Sequence, residues 1–453
     1  MIIILRIVLG IIGLGLVVFV HELGHFLAAR LVGVDVEAFS LGWGKPILKK
    51  RIGAVEYRIG MFPVGGYCKM RGENGFQEAY AAHLTAVPPE PGTFYGVAPW
   101  RRIIISAAGP LFNILFAVLA LAGVWGVGFS IQTLENKIVL ASSIESKEYP
   151  ADEAHLATGD RIVEIDGKPI ETFRDIQENI AFNPEKTLPL TVERDGELHT
   201  LTIKPTLDKT TATGQIGVYY WADPIIAAVT PDSAAARAGL QSGDRILTVN
   251  DEPLLYTVAL VPILEEHPLF LEITYRRNGE MYTANLPVSY TDTGAADLGI
   301  EFETITYKTP QLNPLSAFAK GVEESVRTAV ISVKSLGLLF RGIDLTQAVS
   351  GPVRITYMVG DTATAAFSQG LHTGFVTVAN FLALISISLC IMNLLPLPVL
   401  DGGLILLFII EIINRKPLNP RAITLFQTVG IILIFGLMLF ALFGDILYFV
   451  HGA

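Results

Sequence analysis

Ile11-Ile-Gly-Leu-Gly-Leu-Val-Val-Phe-Val20-His21-Glu22-Leu23-Gly24-His25-Phe26-Leu-Ala-Ala29 is an apolar run broken by one polar pentad, and it decides what kind of fold this is. A membrane-spanning helix needs about 20 mostly apolar residues. Residues 2–29 reach that length only if the pentad lies inside the span. Ionisable side chains within a span are costly and mark function. On a helix, positions i and i+4 share one face, so His21 and His25 can both reach a single zinc ion, with Glu22 beside them to take a proton from water. The plainer alternative, polar residues at a span end near the interface, leaves that cost unexplained. A cleaved signal peptide is not expected, because the small residues that could mark a cleavage site follow the pentad and cleavage would discard it.

Outward from this run the chain keeps the same character. It has 453 residues, 51% hydrophobic and 17% charged, with a mean hydropathy of +0.49; soluble domains carry about 25% charged residues. The net charge of -10 provides no basic footprint, so nucleic acid is not expected as a partner. Uncharged stretches of 32, 39 and 23 residues lie between Arg102 and Glu135, Asp361 and Asp401, and Arg421 and Asp445. Four spans are predicted, near 2–29, 103–129, 376–400 and 423–448. Segment 31–102 carries nine Lys/Arg, and 401–421 carries Arg415, Lys416 and Arg421, which puts both on the cytosolic side. Residues 130–320 hold 15 Lys/Arg against 29 Asp/Glu and fall on the opposite face with both termini. Cys68 and Cys390 are then expected as unpaired thiols.

The large acidic region contains a repeat. Thr158-Gly-Asp-Arg-Ile-Val-Glu-Ile-Asp-Gly-Lys-Pro-Ile170 recurs at an offset of 84 as Ser242-Gly-Asp-Arg-Ile-Leu-Thr-Val-Asn-Asp-Glu-Pro-Leu254. Leu190-Thr-Val-Glu-Arg-Asp-Gly196 matches Ile273-Thr-Tyr-Arg-Arg-Asn-Gly279 at an offset of 83. Each copy reads as strand, turn, helix and hairpin. Pro231-Asp-Ser-Ala-Ala-Ala-Arg-Ala-Gly-Leu240 followed by Gly243-Asp-Arg resembles bacterial PDZ domains, which capture extended peptides by strand addition. A steric screen without peptide capture is equally compatible with the sequence.

Catalytic zinc takes three protein ligands and keeps one position open, so a third must come from elsewhere. The other six histidines have no motif around them. Asp401 closes the long uncharged stretch within Asn393-Leu-Leu-Pro-Leu-Pro-Val-Leu-Asp-Gly-Gly403, whose prolines would break a helix at the membrane face. With spans one and three both running outside to inside, His25 and Asp401 reach the same leaflet. A polar helix end with a Gly-rich turn is the competing reading.

These two motifs together resemble the site-2 protease family of zinc intramembrane metalloproteases, over essentially the whole chain. The resemblance implies zinc held by His21, His25 and Asp401, Glu22 as general base, and Asn393 holding the substrate backbone. Ala54-Val-Glu-Tyr-Arg-Ile-Gly60 alternates like a strand, and Phe62-Pro-Val-Gly-Gly-Tyr67 resembles the family's re-entrant hairpin, making Gly65, Gly66 and Tyr67 substrate-binding candidates. Gly109-Pro-Leu-Phe-Asn113 resembles the family's second-span motif, its role unassigned, and Ser350-Gly-Pro-Val-Arg-Ile355 its lead into the third span. The family's usual Lys before the second span is missing, and Gly72 to Pro91 reads as a Pro-bearing loop.

The fold class expected is a polytopic α-helical membrane protein, with about four transmembrane helices, a re-entrant β-hairpin and two inserted extracytoplasmic PDZ-like α+β domains. Its parts are 1–30, the first span with the pentad; 31–102, a cytosolic loop with a membrane-associated hairpin; 103–129, the second span; 130–208 and 214–290, the PDZ-like pair; 311–375, an amphipathic helical segment; 376–403, the third span; and 423–448, the fourth. By resemblance the protein cleaves single-span membrane proteins, anti-sigma factors after a first cut and remnant signal peptides, in regulated intramembrane proteolysis at a bacterial inner membrane. Its partners are those substrates, membrane lipid and, if the tandem captures rather than screens, extracytoplasmic peptide. A metal transporter and a non-catalytic PDZ scaffold are the alternatives; neither gives Glu22 a task.

Overall fold

The computed structural model describes residues 2–145, 147–208, 213–290, 296–339 and 351–450. Ser350 and part of the 311–375 segment, residues 340–350, lie outside the described residues. In chain order come α1 (Ile2–Val32), β1 (Val36–Ile52), β2 (Val55–Met70), α2 (Gly75–Ala81) and α3 (Pro99–Val127). The repeat region follows with β3 (Arg161–Ile165), α4 (Phe173–Ala181), β4 (Leu188–Arg194), β5 (Glu197–Ile203), β6 (Arg245–Val249), α5 (Leu260–Glu265), β7 (Phe270–Arg277) and β8 (Glu280–Pro287). The chain ends with α6 (Pro314–Leu339), α7 (Pro352–Ser368), α8 (Leu371–Leu394), α9 (Asp401–Asn414) and α10 (Pro420–Val450). Two compact units result, one built from residues up to Phe129 and from Thr309 onward, the other from Ser130–Lys308.

Four helices of the first unit are long and apolar enough to cross a membrane: Ile4–Val32, Pro99–Val127, Leu371–Leu394 and Pro420–Ile446. The first of them packs against α7 through small residues, which let backbones touch. A Cβ on Gly10 would lie 1.9 Å from Thr356 O, and one on Gly360 1.7 Å from Arg6 O, so α1 and α7 meet backbone to backbone. Cys68 and Cys390 are buried free thiols.

Three expectations need correction. The third span stops at Leu394, because Pro396 and Pro398 cannot continue a helix, and Asp401 opens α9 where it was expected to close that span. Residues 401–414 form an apolar helix; only the tail of the segment expected as a cytosolic loop is non-helical. The hairpin's turn falls at Gly53-Ala54, where Gly53 has φ +63°, and Gly65 at φ +83° bends the second strand. The loop expected over 72–91 contains the short helix α2.

The hairpin is also more folded than its alternation suggested. Residues 36–41 pair with 66–70 on one side and with 56–59 on the other, while 46–52 pair with 55–60. Glycines 42, 44 and 65 in left-handed conformations let each long strand double back. Strand segment 66–70 therefore has a ladder on one edge only among the described residues.

In the second unit the two copies fold alike. One four-stranded sheet runs Lys168–Pro169, β3, β4, β5, and the other Glu252–Pro253, β6, β7, β8. The hairpins turn on Asp195-Gly196 and Asn278-Gly279, all four residues at positive φ, as a two-residue primed turn requires. The Gly-Asp of each copy meets the Arg of its own hairpin. Arg194 donates to Asp160 through Nε and Nη2, both at 2.7 Å; Arg277 does the same to Asp244 at 2.7 and 2.6 Å. Asp160 is 1% exposed and Asp244 0%, so removing the arginine would strand a buried carboxylate. Arg277→Leu is expected to destabilise the second copy by roughly 3 kcal/mol. In hydrogen exchange of the full chain, protection of Phe270–Pro287 should fall about a hundredfold while Leu188–Ile203 keeps its own; equal loss in both copies would contradict independent folding.

Candidate active site

The pentad sits on α1, two turns from its C-terminal end, with His21 and His25 8% and 9% exposed. Their Nε2 atoms are 3.1 Å apart. Asp401, the first residue of α9, places Oδ2 3.3 Å from His21 Nε2 and 3.5 Å from His25 Nε2. A tetrahedral zinc with bonds of about 2.0–2.1 Å needs ligand atoms roughly 3.3 Å apart. Two neutral imidazole nitrogens and one carboxylate oxygen at these separations fit that ion, and three protein donors leave a fourth position open.

α3 holds the imidazoles in the required orientation. His25 Nδ1–H donates to Ile105 O at 2.8 Å, which turns Nε2 towards Asp401. The Asn113 carboxamide meets His21 Nδ1 at 3.2 Å. Nδ2 is the amide atom at that distance, and the buried Oδ1 has no hydrogen-bond partner among the described residues; turning the carboxamide over puts Oδ1 on Nδ1–H, satisfies both groups and leaves the Nε2 lone pair of His21 free for a metal. Asn113 is fully buried, and its backbone oxygen accepts from Ser386 Oγ at 2.9 Å, tying this point to α8. Ile105, Gly109 and Asn113 are spaced i, i+4, i+8 along one helical face. At the middle position a Cβ would lie 2.3 Å from His25 Nε2 and 2.8 Å from His21 Cε1. Gly24 serves the same approach from α1, where a Cβ would be 2.3 Å from Ala108 O.

α9 is fixed onto α3 from its far end. Arg102 donates through Nη1 and Nη2 to Glu411 at 3.0 and 2.9 Å, with both side chains largely buried, and its guanidinium lies 4.8 Å from the Phe408 ring centre. Gly402 and Gly403 allow the start of α9 to press on the carbonyls of Leu394 and Leu397. Asp401 is thus placed by a proline-broken turn at one end and a buried ion pair at the other.

Glu22 is half-buried and faces the hairpin: a Cβ on Gly66 would stand 3.1 Å from Glu22 Cγ. Gly65 is in contact with the Trp43 indole, and Tyr67 accepts from Arg58 at 3.1 Å. Asn393 is half-buried in the last turn of α8 and has no side-chain hydrogen bond among the described residues. The structure therefore groups His21, His25, Asp401, Glu22 and Gly66, while no such contact ties Gly65, Tyr67 or Asn393 to the three ligand atoms. Sequence reasoning left Gly109 and Asn113 without a role; their i, i+4 spacing within an otherwise apolar span was the available signal.

A histidine pair with an intervening glutamate, completed by a carboxylate from a distant apolar segment, defines a metallopeptidase built into a membrane protein. The chain belongs to peptidase family M50, whose model matches residues 9–437. It is 38% identical over 449 residues, 99% of this chain and 100% of the other, to a Treponema pallidum protein named as a zinc metalloprotease. It is 33% identical over 461 aligned positions, covering 96% of this chain and 97% of the other, to the regulator of sigma-E protease RseP of Escherichia coli. The regulator of sigma E protease of Haemophilus influenzae is 30% identical over 468 positions, with 96% and 97% covered.

Gly109→Ala is expected to lower metal affinity by about 10–100-fold, the size of effect seen when groups orienting ligands are disturbed. Gly126→Ala, on the same helix with its nearest neighbour atom at 3.9 Å, should bind normally. Metal per chain by elemental analysis, with melting temperature as the folding control, checks both; full occupancy in the Gly109 variant would contradict the packing described.

Proposed function

We propose that this chain is a zinc-dependent endopeptidase that cuts single-span membrane proteins within or near the bilayer. The observation that carries the reading is the tetrahedral spacing of His21 Nε2, His25 Nε2 and Asp401 Oδ2, with Glu22 beside them. These three residues hold the ion. Zinc bound there supplies Lewis acidity towards water and the scissile carbonyl. Glu22 takes the proton of the attacking water and passes it to the leaving nitrogen. Its half-buried position next to Gly66 puts that exchange at the hairpin.

A helical substrate hides its carbonyls in its own hydrogen bonds and must unwind before it can be cut. The open edge of segment 66–70 offers replacement bonds by strand addition, and it passes Glu22. Gly65, Gly66 and Tyr67 then line the substrate, and Asn393, unengaged at the end of α8, binds its backbone. The hairpin enters the cytosolic leaflet. Both termini and the PDZ-like pair lie outside the inner membrane, as the Lys/Arg of 31–102 and 401–421 imply.

The substrates are membrane proteins already trimmed on the outside, anti-sigma factors and remnant signal peptides among them. The Escherichia coli and Haemophilus influenzae relatives are named as regulators of sigma E, which agrees with the first of these. The PDZ-like pair filters by size; confinement in the bilayer already concentrates substrate, so a dedicated docking site for free C-termini adds little.

Glu22→Gln is expected to retain about one zinc per chain and to lose cleavage of a reconstituted single-span substrate by 10²-fold or more, roughly the contribution of a general base. Undiminished cleavage by that variant, or zinc near zero in carefully purified wild type, would sink the proposal.

A further inference from the structure

The outer face of the hairpin carries charge that the peptidase reading does not use. Directly opposed residues share a face of a sheet. The register Ala38↔Lys69, Ala38↔Glu56 and Arg51↔Glu56, with Ser40↔Arg58 and Lys49↔Arg58 one step along, puts Lys49, Arg51, Arg58 and Lys69 on one face. The opposite face, with Phe39, Tyr57 and Cys68, packs against Phe26 and Ala29 of α1. Arg58 and Lys69 are partnered by Glu56 and Glu37 at 2.7 and 2.8 Å. Lys45, Lys49, Lys50 and Arg51 form no close ion pair among the described residues and all four are exposed; Lys49 and Arg51 share with Arg58 the single carboxylate of Glu56, and Lys50 lies opposite Tyr57. Four cations within seven residues, outnumbering the carboxylates around them, are not a structural requirement of a two-stranded arm.

Lys45 lies at the apolar level beside Trp43 and Pro46, but the position of the other three along the hairpin is ordered. Gly66 lies against Val18 and Glu22, whereas Val36 and Met70 pair close to the C-terminal end of α1. At 1.5 Å per residue these levels on α1 are about 15–20 Å apart. The exposed apolar residues Trp43, Met61 and Phe62 lie at the far level, with the Trp43 ring beside Gly65. Lys49, Lys50 and Arg51 lie next to the Gly53 turn, level with Ala38 and Glu56 and so near the end where α1 stops. Apolar groups at the deep end and a net positive charge at the emerging end, where Lys49, Lys50, Arg51 and Arg58 surround Glu56, match the profile of one membrane leaflet with a negative surface.

We infer that the Lys49–Arg51 end of the hairpin is a binding surface for acidic phospholipid headgroups of the cytosolic leaflet, which sets the depth of the hairpin and so keeps segment 66–70 beside Glu22. This rests on the peptidase reading for the leaflet and for the role of segment 66–70, but not for the charge pattern. Juxtamembrane cations each contribute on the order of a fivefold gain in binding to an anionic surface, so three together give roughly a hundredfold.

The full-length protein is reconstituted in nanodiscs of phosphatidylcholine alone or with about one-third phosphatidylglycerol, a fraction ample for several headgroups per cationic site. Lipids retained after detergent exchange are counted by native mass spectrometry, alongside zinc content and substrate cleavage. Wild type is expected to retain phosphatidylglycerol over phosphatidylcholine, less so at high salt, and to cleave faster in the mixed discs. The K49Q/K50Q/R51Q variant should lose both preferences and keep its zinc and melting temperature. The charge-keeping K49R/K50R/R51K variant should behave as wild type. Equal phosphatidylglycerol retention by wild type and K49Q/K50Q/R51Q overturns the inference. So does a cleavage defect of the same size in both lipids, which would assign the cations to the substrate. Loss of zinc or of all cleavage in wild type would instead count against the peptidase reading, and the lipid count would stand apart from it.

Discussion

Three donor atoms, His21 Nε2, His25 Nε2 and Asp401 Oδ2, stand 3.1 to 3.5 Å from one another among apolar helices, and most of the first unit is organised around keeping them there. Polar groups in such surroundings are expensive unless every one is engaged. Ile105 O and the Asn113 amide engage the two Nδ1 atoms, and the missing side chain of Gly109 makes the space in which the rings can converge. The approach of α1 to α3 at Gly24, the break at Pro396 and Pro398, and the Arg102–Glu411 pair that seats α9 all act on the same three positions. Function and packing are thus the same problem here, since a shift of either helix would separate the donors.

What could be read from sequence was local. An i, i+4 histidine pair needs only helical geometry, and long charge-free stretches announce spans whatever surrounds them. Asp401 was reachable because it ends such a stretch beside two prolines. The segment that follows it was read as a loop because it is short and ends in Arg415 and Lys416; that Glu411 could lie inside an apolar helix depended on Arg102, 309 residues away. The doubled-back hairpin was equally hidden. Its form follows from register shifts at Gly42, Gly44 and Gly65, and an alternating pattern is the same whichever neighbour a strand chooses. Gly109 and Asn113 belonged to a quoted motif, yet their task is defined only by what α1 presents to them.

The second unit shows the opposite balance. Its repeat at offsets of 84 and 83 already paired Gly-Asp with a downstream Arg, and the structure joins those residues into a bidentate contact in each copy. A carboxylate that is 1% or 0% exposed is tolerated because a guanidinium and backbone N–H groups of Ala157 or Gln241 satisfy it. The same solution in both copies explains why these motif positions recur while the surface between them differs.

The central claim is a zinc ion on His21, His25 and Asp401, and X-ray absorption at the zinc edge of the purified full-length protein tests it most directly. The expected spectrum is four-coordinate, with only nitrogen and oxygen neighbours at about 2.0–2.1 Å and multiple-scattering features of two imidazoles, one neighbour being lost or lengthened in Asp401→Ala. A sulfur shell at about 2.3 Å, which would bring in Cys68 or Cys390, or a spectrum unchanged by Asp401→Ala, would contradict it.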